Sequence, residues 1–265
     1  MRKGFQRALH SRVDFGIRLQ KNRRPMHLHF LGTRGEIEVR TRQHRMHSAL
    51  LVSHRTGRVM IDCGLDWLRK LRRLRPDAIV LTHAHPDHAW GLKNGAPCPV
   101  FAPEQTWQTL KGCRVDDCRV LPLRKPERIC GVAFEAFAVE HSLLAPAVGY
   151  RVSAGRASFF YAPDVVFIHE RAAALREVQL YIGDGATVSR SFVRKRGERL
   201  IGHAPVRTQL GWCAKERVSR AIITHCGSEI VAGNERQLAA KIAAVARELG
   251  VEARIARDGM KMIVR

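Results

Sequence analysis

From Met26 onward the chain alternates apolar and polar positions in short runs separated by turn residues. His27–Leu31 and Ser48–Ser53 read as strands, joined by a loop rich in Gly, Arg and His. His54-Arg-Thr-Gly57 reads as a turn, with Arg58–Asp62 as the next strand. Asp66 stands where it would cap a helix that turns Trp67, Leu68 and Leu71 inward, until Pro76-Asp77 breaks it. Ala78–Thr82 is a buried-strand run that ends at a histidine cluster, and Val132–Val139, Val148–Ser153, Ala157–Ala162, Gln179–Gly183 and Arg220–Thr224 fit further strands. The last long helix starts near Asn234: Leu238, Ile242, Val245 and Leu249 share one face, and Gly250 closes it in the left-handed position.

Two stretches echo each other. Ala78-Ile-Val-Leu-Thr-His83 recurs as Ala221-Ile-Ile-Thr-His225, each a buried strand delivering a histidine at its C-terminal end. A turn containing Gly followed by a strand ending in Asp occurs at Asp62 and again at Asp164. The pattern predicts an α/β fold of two similar halves whose strand ends meet at one edge, where loops can hold polar chemistry without disturbing the core.

A length of 265 residues suits one large domain or two small ones, and 45% apolar with 26% charged residues excludes disorder throughout. No apolar run approaches the roughly 18 residues needed to span a bilayer, so no membrane association is expected. Lys and Arg number 46 against 24 acids, a net charge of +22. Such a charge favours polyanionic partners, though a plain solubility habit accounts for it equally well. Seven cysteines, odd in number and without a CxxC pair, point to a reducing cytoplasm rather than a secreted disulfide framework. Cys113, Cys118 and Cys130 read as ordinary thiols in preference to a structural zinc site. Residues 1–25 hold eight Lys or Arg and one acid, Asp14, without the apolar core of a secretory signal. A transit peptide, a nucleic-acid arm and a translation start at Met26 all fit; the favoured reading is a flexible basic N-terminal extension, with the functional domain over 26–265.

The candidate chemistry sits in His83-Ala-His85-Pro-Asp87-His88. Three imidazoles and a carboxylate crowded after a buried strand are costly unless something neutralises or binds them. Imidazole nitrogen and carboxylate oxygen are ligand types of zinc, and less strongly of iron or manganese. The pointing of Asp87 and His88 to a neighbouring position favours two metals over one.

With this HxHxDH signature the chain resembles the metallo-β-lactamase fold superfamily over about residues 26–265. Asp62 in Ile61-Asp-Cys-Gly64, His141 in Glu140-His-Ser142, Asp164 in Tyr161-Ala-Pro-Asp164 and His225 in Ile223-Thr-His225 follow in order. Phe30-Leu-Gly-Thr33 and Ser48-Ala-Leu-Leu51 resemble ribonuclease Z. His141-Ser142, Gly149-Tyr150 and Asp258-Gly-Met260 look like the phosphoribosyl cyclic phosphate phosphodiesterase of phosphonate breakdown. The resemblance implies a four-layer αββα sandwich. His83, His85 and His141 would hold one metal, Asp87, His88 and His225 a second, with Asp164 bridging. Two divalent ions, zinc foremost and manganese or iron as alternatives, would lower the pKa of a shared water to make the nucleophile, so Asp87 counts among both ligands and catalytic residues. Asp62 and Asp184 would orient the ligands from behind.

The resemblance favours phosphorus chemistry through Asp164 and through His203 in Gly202-His-Ala-Pro205, which matches a histidine that phosphodiesterase relatives use beside the scissile phosphate. His203 would stabilise the transition state or protonate the leaving oxygen; the alternative is a cap on a helix beginning at Ala204-Pro205. Arg190, Arg194, Lys195 and Arg196, with Phe192 among them, would suit a phosphate-tracking loop, or else form a solvated charge run. Only 22 residues separate His141 from Asp164, room for two turn-linked strands but not for the long insertion by which ribonuclease Z grips tRNA. The expected activity is therefore phosphodiester hydrolysis on nucleic acid or a small cyclic phosphodiester. A thioester or lactone hydrolase of the same fold is the alternative, and a basic binding module with a vestigial site a third. Relatives are often dimers, so a homodimer belongs among the expectations.

Overall fold

A computed structural model describes residues 24–265; the basic extension expected over 1–25 lies outside them except for its last two residues. The first sheet contains β1 (Met26–Gly32), β2 (Ala49–His54), β3 (Gly57–Ile61), β4 (Ala78–Val80), β5 (Val100–Ala102) and β6 (Cys118–Val120). On its outer side lie α1 (Leu71–Leu74), α2 (Pro86–Ala89) and α3 (Glu104–Thr109). The chain then forms β7 (Glu127–Ile129), β8 (Val132–Glu140), β9 (Ala147–Ala154), β10 (Ala157–Ala162), β11 (Phe167–Ile168), α4 (Arg171–Ala174) and β12 (Leu180–Asp184). A separate hairpin, β13 (Arg194–Arg196) and β14 (Arg199–Ile201), precedes α5 (Val206–Lys215), β15 (Arg220–Thr224), α6 (Ser228–Val231), α7 (Glu235–Glu248), β16 (Glu252–Ile255) and β17 (Lys261–Val264).

The first sheet runs β17-β1-β2-β3-β4-β5-β6 and the second β11-β8-β9-β10-β12-β15-β16, with β7 paired to β8. β17 crosses back to pair antiparallel with β1, so the end of the chain closes the first sheet. Alternation along β1 sends Leu28 and Phe30 inward, where they join Val52, Ile61 and Val80 against Phe134, Tyr150, Phe159 and Ile182 of the second sheet. On the outer face of the second sheet, Tyr181 and Ile223 pack against Leu210 of α5 and Ile242 of α7. Burying a side chain such as Ile242, which is 1% exposed, is worth about 1.5–3 kcal/mol. The layers are helix, sheet, sheet, helix, the sandwich expected from the motifs.

The predicted strands recur within one or two residues, and the segment between His141 and Asp164 is the β9–β10 hairpin. α7 starts where the pattern placed it: Asn234 Oδ1 accepts the Gln237 amide at 3.1 Å, and Gly250 takes φ +69°. The helix expected from Asp66 is absent; only a single 3₁₀ turn (Leu65–Trp67) and the four-residue α1 form there. Asp66 caps nothing, because its carboxylate accepts Arg34 Nη2 at 2.7 Å and the His47 amide at 2.9 Å. A buried guanidinium outcompetes a helix terminus for that carboxylate.

The two halves correspond differently from the order of their motifs. β3 and β4, which lead to Asp62 and His83, are parallel neighbours, but β12 lies between β10, which leads to Asp164, and β15, which leads to His225. The positional counterpart of Asp62 is thus Asp184.

Candidate metal centre

Strand ends from both sheets converge on one edge. β4 leads into His83 and His85, and α2 follows at once with Asp87 and His88. β8 delivers His141, β10 Asp164, β12 Asp184 and β15 His225. The histidine loop is tied to the opposite sheet: Tyr150 Oη donates to Leu81 O at 2.7 Å and the Val148 amide to Thr82 O at 3.1 Å. α2 can sit against the turn after β3 because residue 64 is glycine; a β-carbon there would collide with the Asp87 carbonyl. Asp62 and His225 both have left-handed backbones, φ +60° and +50°, held by the sheets on either side.

Nitrogen and oxygen atoms of these residues crowd together. His85 Nδ1 lies 3.0 Å from His83 Nε2 and 3.2 Å from His141 Nε2. Asp87 Oδ2 is 3.1 Å from His225 Nε2 and 3.3 Å from His88 Nε2. Asp164 is central: Oδ2 lies 2.6 Å from His88 Nε2 and 3.9 Å from His83 Nε2, while Oδ1 lies 3.3 Å from His225 Nδ1 and 3.8 Å from His141 Nε2. Three triads, His83–His85–His141, His83–His88–Asp164 and Asp87–His88–His225, each keep their donor atoms within 4.8 Å. His88 Nε2, Asp164 Oδ2 and His225 Nδ1 are buried and make no aligned hydrogen bond, although the first two stand 2.6 Å apart. Buried polar atoms are rarely left so unless something else binds them. The donor set of imidazoles and carboxylates fits divalent cations. All seven residues expected as ligands are here, and no cysteine is.

Behind the cage, hydrogen bonds fix which nitrogen faces inward. Asp62, fully buried, accepts the Thr82 amide at 2.8 Å, Thr82 Oγ1 at 2.9 Å and His88 Nδ1 at 2.9 Å. Thr82 Oγ1 in turn lies 3.0 Å from His83 Nδ1. One carboxylate therefore sets the tautomer that each of the two imidazoles takes when neutral, with Nε2 free of its proton toward the centre. His141 Nδ1 donates to Gly202 O at 3.0 Å to the same effect. Asp184 accepts His203 Nδ1 at 2.8 Å, the Ala186 amide at 2.8 Å and the Val165 amide at 3.1 Å, while Gln209 holds its backbone.

The charges follow the geometry. Burial pushes the His83 imidazole well below its ordinary pKa, with the His88 charge adding to it, and lowers His85 to about 4. His225 is raised to about 10: burial opposes this, but Asp164, Asp184 and Asp87 surround the ring. Burial likewise opposes the raised pKa of His88, which Asp87, Asp164 and Asp62 impose. Asp87 and Asp164 lie well below the usual carboxylate range despite burial, because those imidazoles face them. His203, 22% exposed in its side chain, caps no helix; burial opposes but Asp184 raises its pKa.

A cavity of about 810 Å³ opens over the cage, lined by His85, His141 and His203 together with Glu36, Ile37, Arg190 and Phe192. Of the four cations expected to track phosphate, Arg190 lines it; Arg194, Lys195 and Arg196 form the exposed strand β13 beyond. Sequence reasoning missed Thr82, Gln209 and Glu229, the last of which accepts the Val188 amide at 2.9 Å and Ser189 Oγ at 2.5 Å. The repeated Thr-His pair at 82–83 and 224–225 was the available signal for Thr82; Gln209 and Glu229 carried none.

Residues 57–226 match the model of the beta-lactamase superfamily domain, and the chain belongs to that family. It is 29% identical over 138 residues to exodeoxyribonuclease WalJ of Streptococcus pneumoniae, covering 45% of this chain and 51% of that protein. Over 70 residues it is 43% identical to ribonuclease Z of Bradyrhizobium diazoefficiens, covering 24% and 22%. The chain thus spans about half the length of the first of these relatives and about a fifth of the second. The metallo-β-lactamase fold protein YhfI from Bacillus subtilis superposes with a TM-score of 0.69 at 15% identity, over 91% of this chain and 99% of its own, and shares the fold. The superfamily recognised from the motifs is therefore the right one, and ribonuclease Z, which the motifs singled out, is among the relatives.

Proposed function

We propose that this protein is a dinuclear metal-dependent hydrolase that cleaves phosphodiester bonds. The carrying observation is the trio of buried atoms without an aligned hydrogen bond, His88 Nε2, Asp164 Oδ2 and His225 Nδ1, inside a cage of further imidazoles and Asp87. His83, His85 and His141 would hold one cation and Asp87, His88 and His225 the other, with Asp164 within reach of both sets. The imidazole-rich set favours zinc over manganese or iron. When bound, two such cations supply a nucleophilic hydroxide near neutral pH and polarise the phosphoryl group.

Asp62 keeps the Nε2 atoms of His88 and, through Thr82, of His83 turned inward. His203 donates Nδ1–H to Asp184, which leaves Nε2–H of the imidazolium to neutralise a phosphoryl oxygen or protonate the departing alkoxide. Arg190 lends the cavity a further positive charge. Phosphorus over carbonyl chemistry is supported by this His203–Asp184 pair and by the two curated relatives, which are named as nucleases. No described helix is long and apolar enough to cross a membrane, and all seven cysteines are free, which supports placing the protein in the cytoplasm. The test is hydrolysis of bis-p-nitrophenyl phosphate by metal-loaded protein beside a thioester and a lactone, with His83→Ala as blank. Turnover confined to the phosphodiester supports the reading; turnover confined to the others contradicts it.

A further inference from the structure

Phe192 is 47% exposed and stands two residues beyond a segment, 187–190, that hydrogen bonds hold. A β-carbon at Gly202 would collide with the Phe192 carbonyl, so this glycine lets the Phe192 backbone sit directly beside the His141–Gly202–His203 junction. Gly202 itself, at φ +107°, donates its amide to His141 O at 2.8 Å. Upstream, Thr187 Oγ1 donates to Arg190 O, and Glu229 holds Val188 and Ser189. An aromatic ring left about half exposed just beyond that segment, lining the same cavity as His203, has a face available for stacking among the described residues. Beyond it, Arg194, Lys195 and Arg196 continue outward on an exposed strand that a small phosphodiester confined to the cavity would not reach.

We infer that Phe192 is a base-stacking platform and that the site takes single-stranded nucleic acid, with the base beside the scissile phosphate laid on the ring and the flanking phosphates on β13. This rests on the phosphodiesterase reading and names its substrate class. A duplex would have to unpair and unstack that base first, a cost a single strand does not carry. Aromatic stacking tolerates any base, so affinity is expected to be general in sequence and sensitive to salt.

The test compares full-length wild type, Phe192→Leu and Phe192→Trp. Anisotropy of labelled oligothymidylate and oligouridylate on metal-depleted protein gives binding, and metal-loaded protein gives hydrolysis of the same strands, of a duplex and of bis-p-nitrophenyl phosphate. Leucine is expected to weaken oligonucleotide binding about tenfold and tryptophan to restore it, while the loss on bis-p-nitrophenyl phosphate stays several-fold smaller. Duplex is expected to be cut at least about tenfold more slowly than single strand. Equal binding by the leucine variant, or duplex cut as fast as single strand, overturns the inference. In that event hydrolysis of bis-p-nitrophenyl phosphate that His83→Ala abolishes leaves the phosphodiesterase reading standing; absence of hydrolysis on every substrate removes both.

Discussion

Substituting Asp62 separates its two tasks, supporting the fold and fixing imidazole tautomers. Alanine would strip the partner from three buried donors, the Thr82 amide, Thr82 Oγ1 and His88 Nδ1. Hydrogen bonds to a charged group contribute about 1.5–3 kcal/mol each, and relief from burying the carboxylate returns part of that. The expected net loss is about 3–5 kcal/mol. Asparagine keeps the shape, tolerates φ +60° and can still accept from Thr82, so its cost should stay below about 2 kcal/mol. Its amide would face His88 Nδ1 as a donor, however, driving the proton of neutral His88 to Nε2, the nitrogen beside Asp87 and Asp164. Metal affinity should then fall about 10–100-fold. Urea unfolding of metal-depleted protein measures the first effect and zinc competition with a chromophoric chelator the second. Wild-type metal affinity in Asp62→Asn would refute the tautomer argument.

His203→Ala should retain both metals yet lose about 10²–10³-fold in turnover of bis-p-nitrophenyl phosphate, read by elemental analysis and initial rates; retained turnover would remove His203 from the mechanism. Because His88 and His225 are held protonated by their carboxylates without metal, cation binding near pH 7.5 should release about two protons, measured by calorimetry in buffers of different ionisation enthalpy. In metal-depleted protein the raised His225 contributes stability that is complete below about pH 6.5 and lost as pH rises through about 10, so its melting temperature should fall over that window. Replacing Arg194, Lys195 and Arg196 together by alanine should flatten the log–log salt dependence of oligonucleotide binding by about 2, at roughly 0.7 for each phosphate no longer neutralised.

The ligand residues were legible because each follows a buried strand whose pattern is local: Ala78–Val80 and Arg220–Thr224 announce His83 and His225 in the sequence itself. Asp66 was misread because its partner, Arg34, is 32 residues away and completely buried, a pairing that no local pattern contains. The short strands β5, β6 and β7 escaped notice because three residues are too few to display a period. Equating Asp164 with Asp62 failed for a related reason: sequence order does not reveal that β12 enters the sheet between β10 and β15. The supporting roles of Gln209 and Glu229 likewise depend on tertiary approach, from α5 to Asp184 and from α6 to the loop after it.

The central claim is that side chains from several separate segments enclose two cations. Elemental analysis of the purified protein after metal loading and desalting, alongside His83→Ala and His225→Ala, tests it most directly. The account predicts two equivalents of a divalent metal per wild-type chain and a loss in each variant; a wild-type chain that retains none would contradict it.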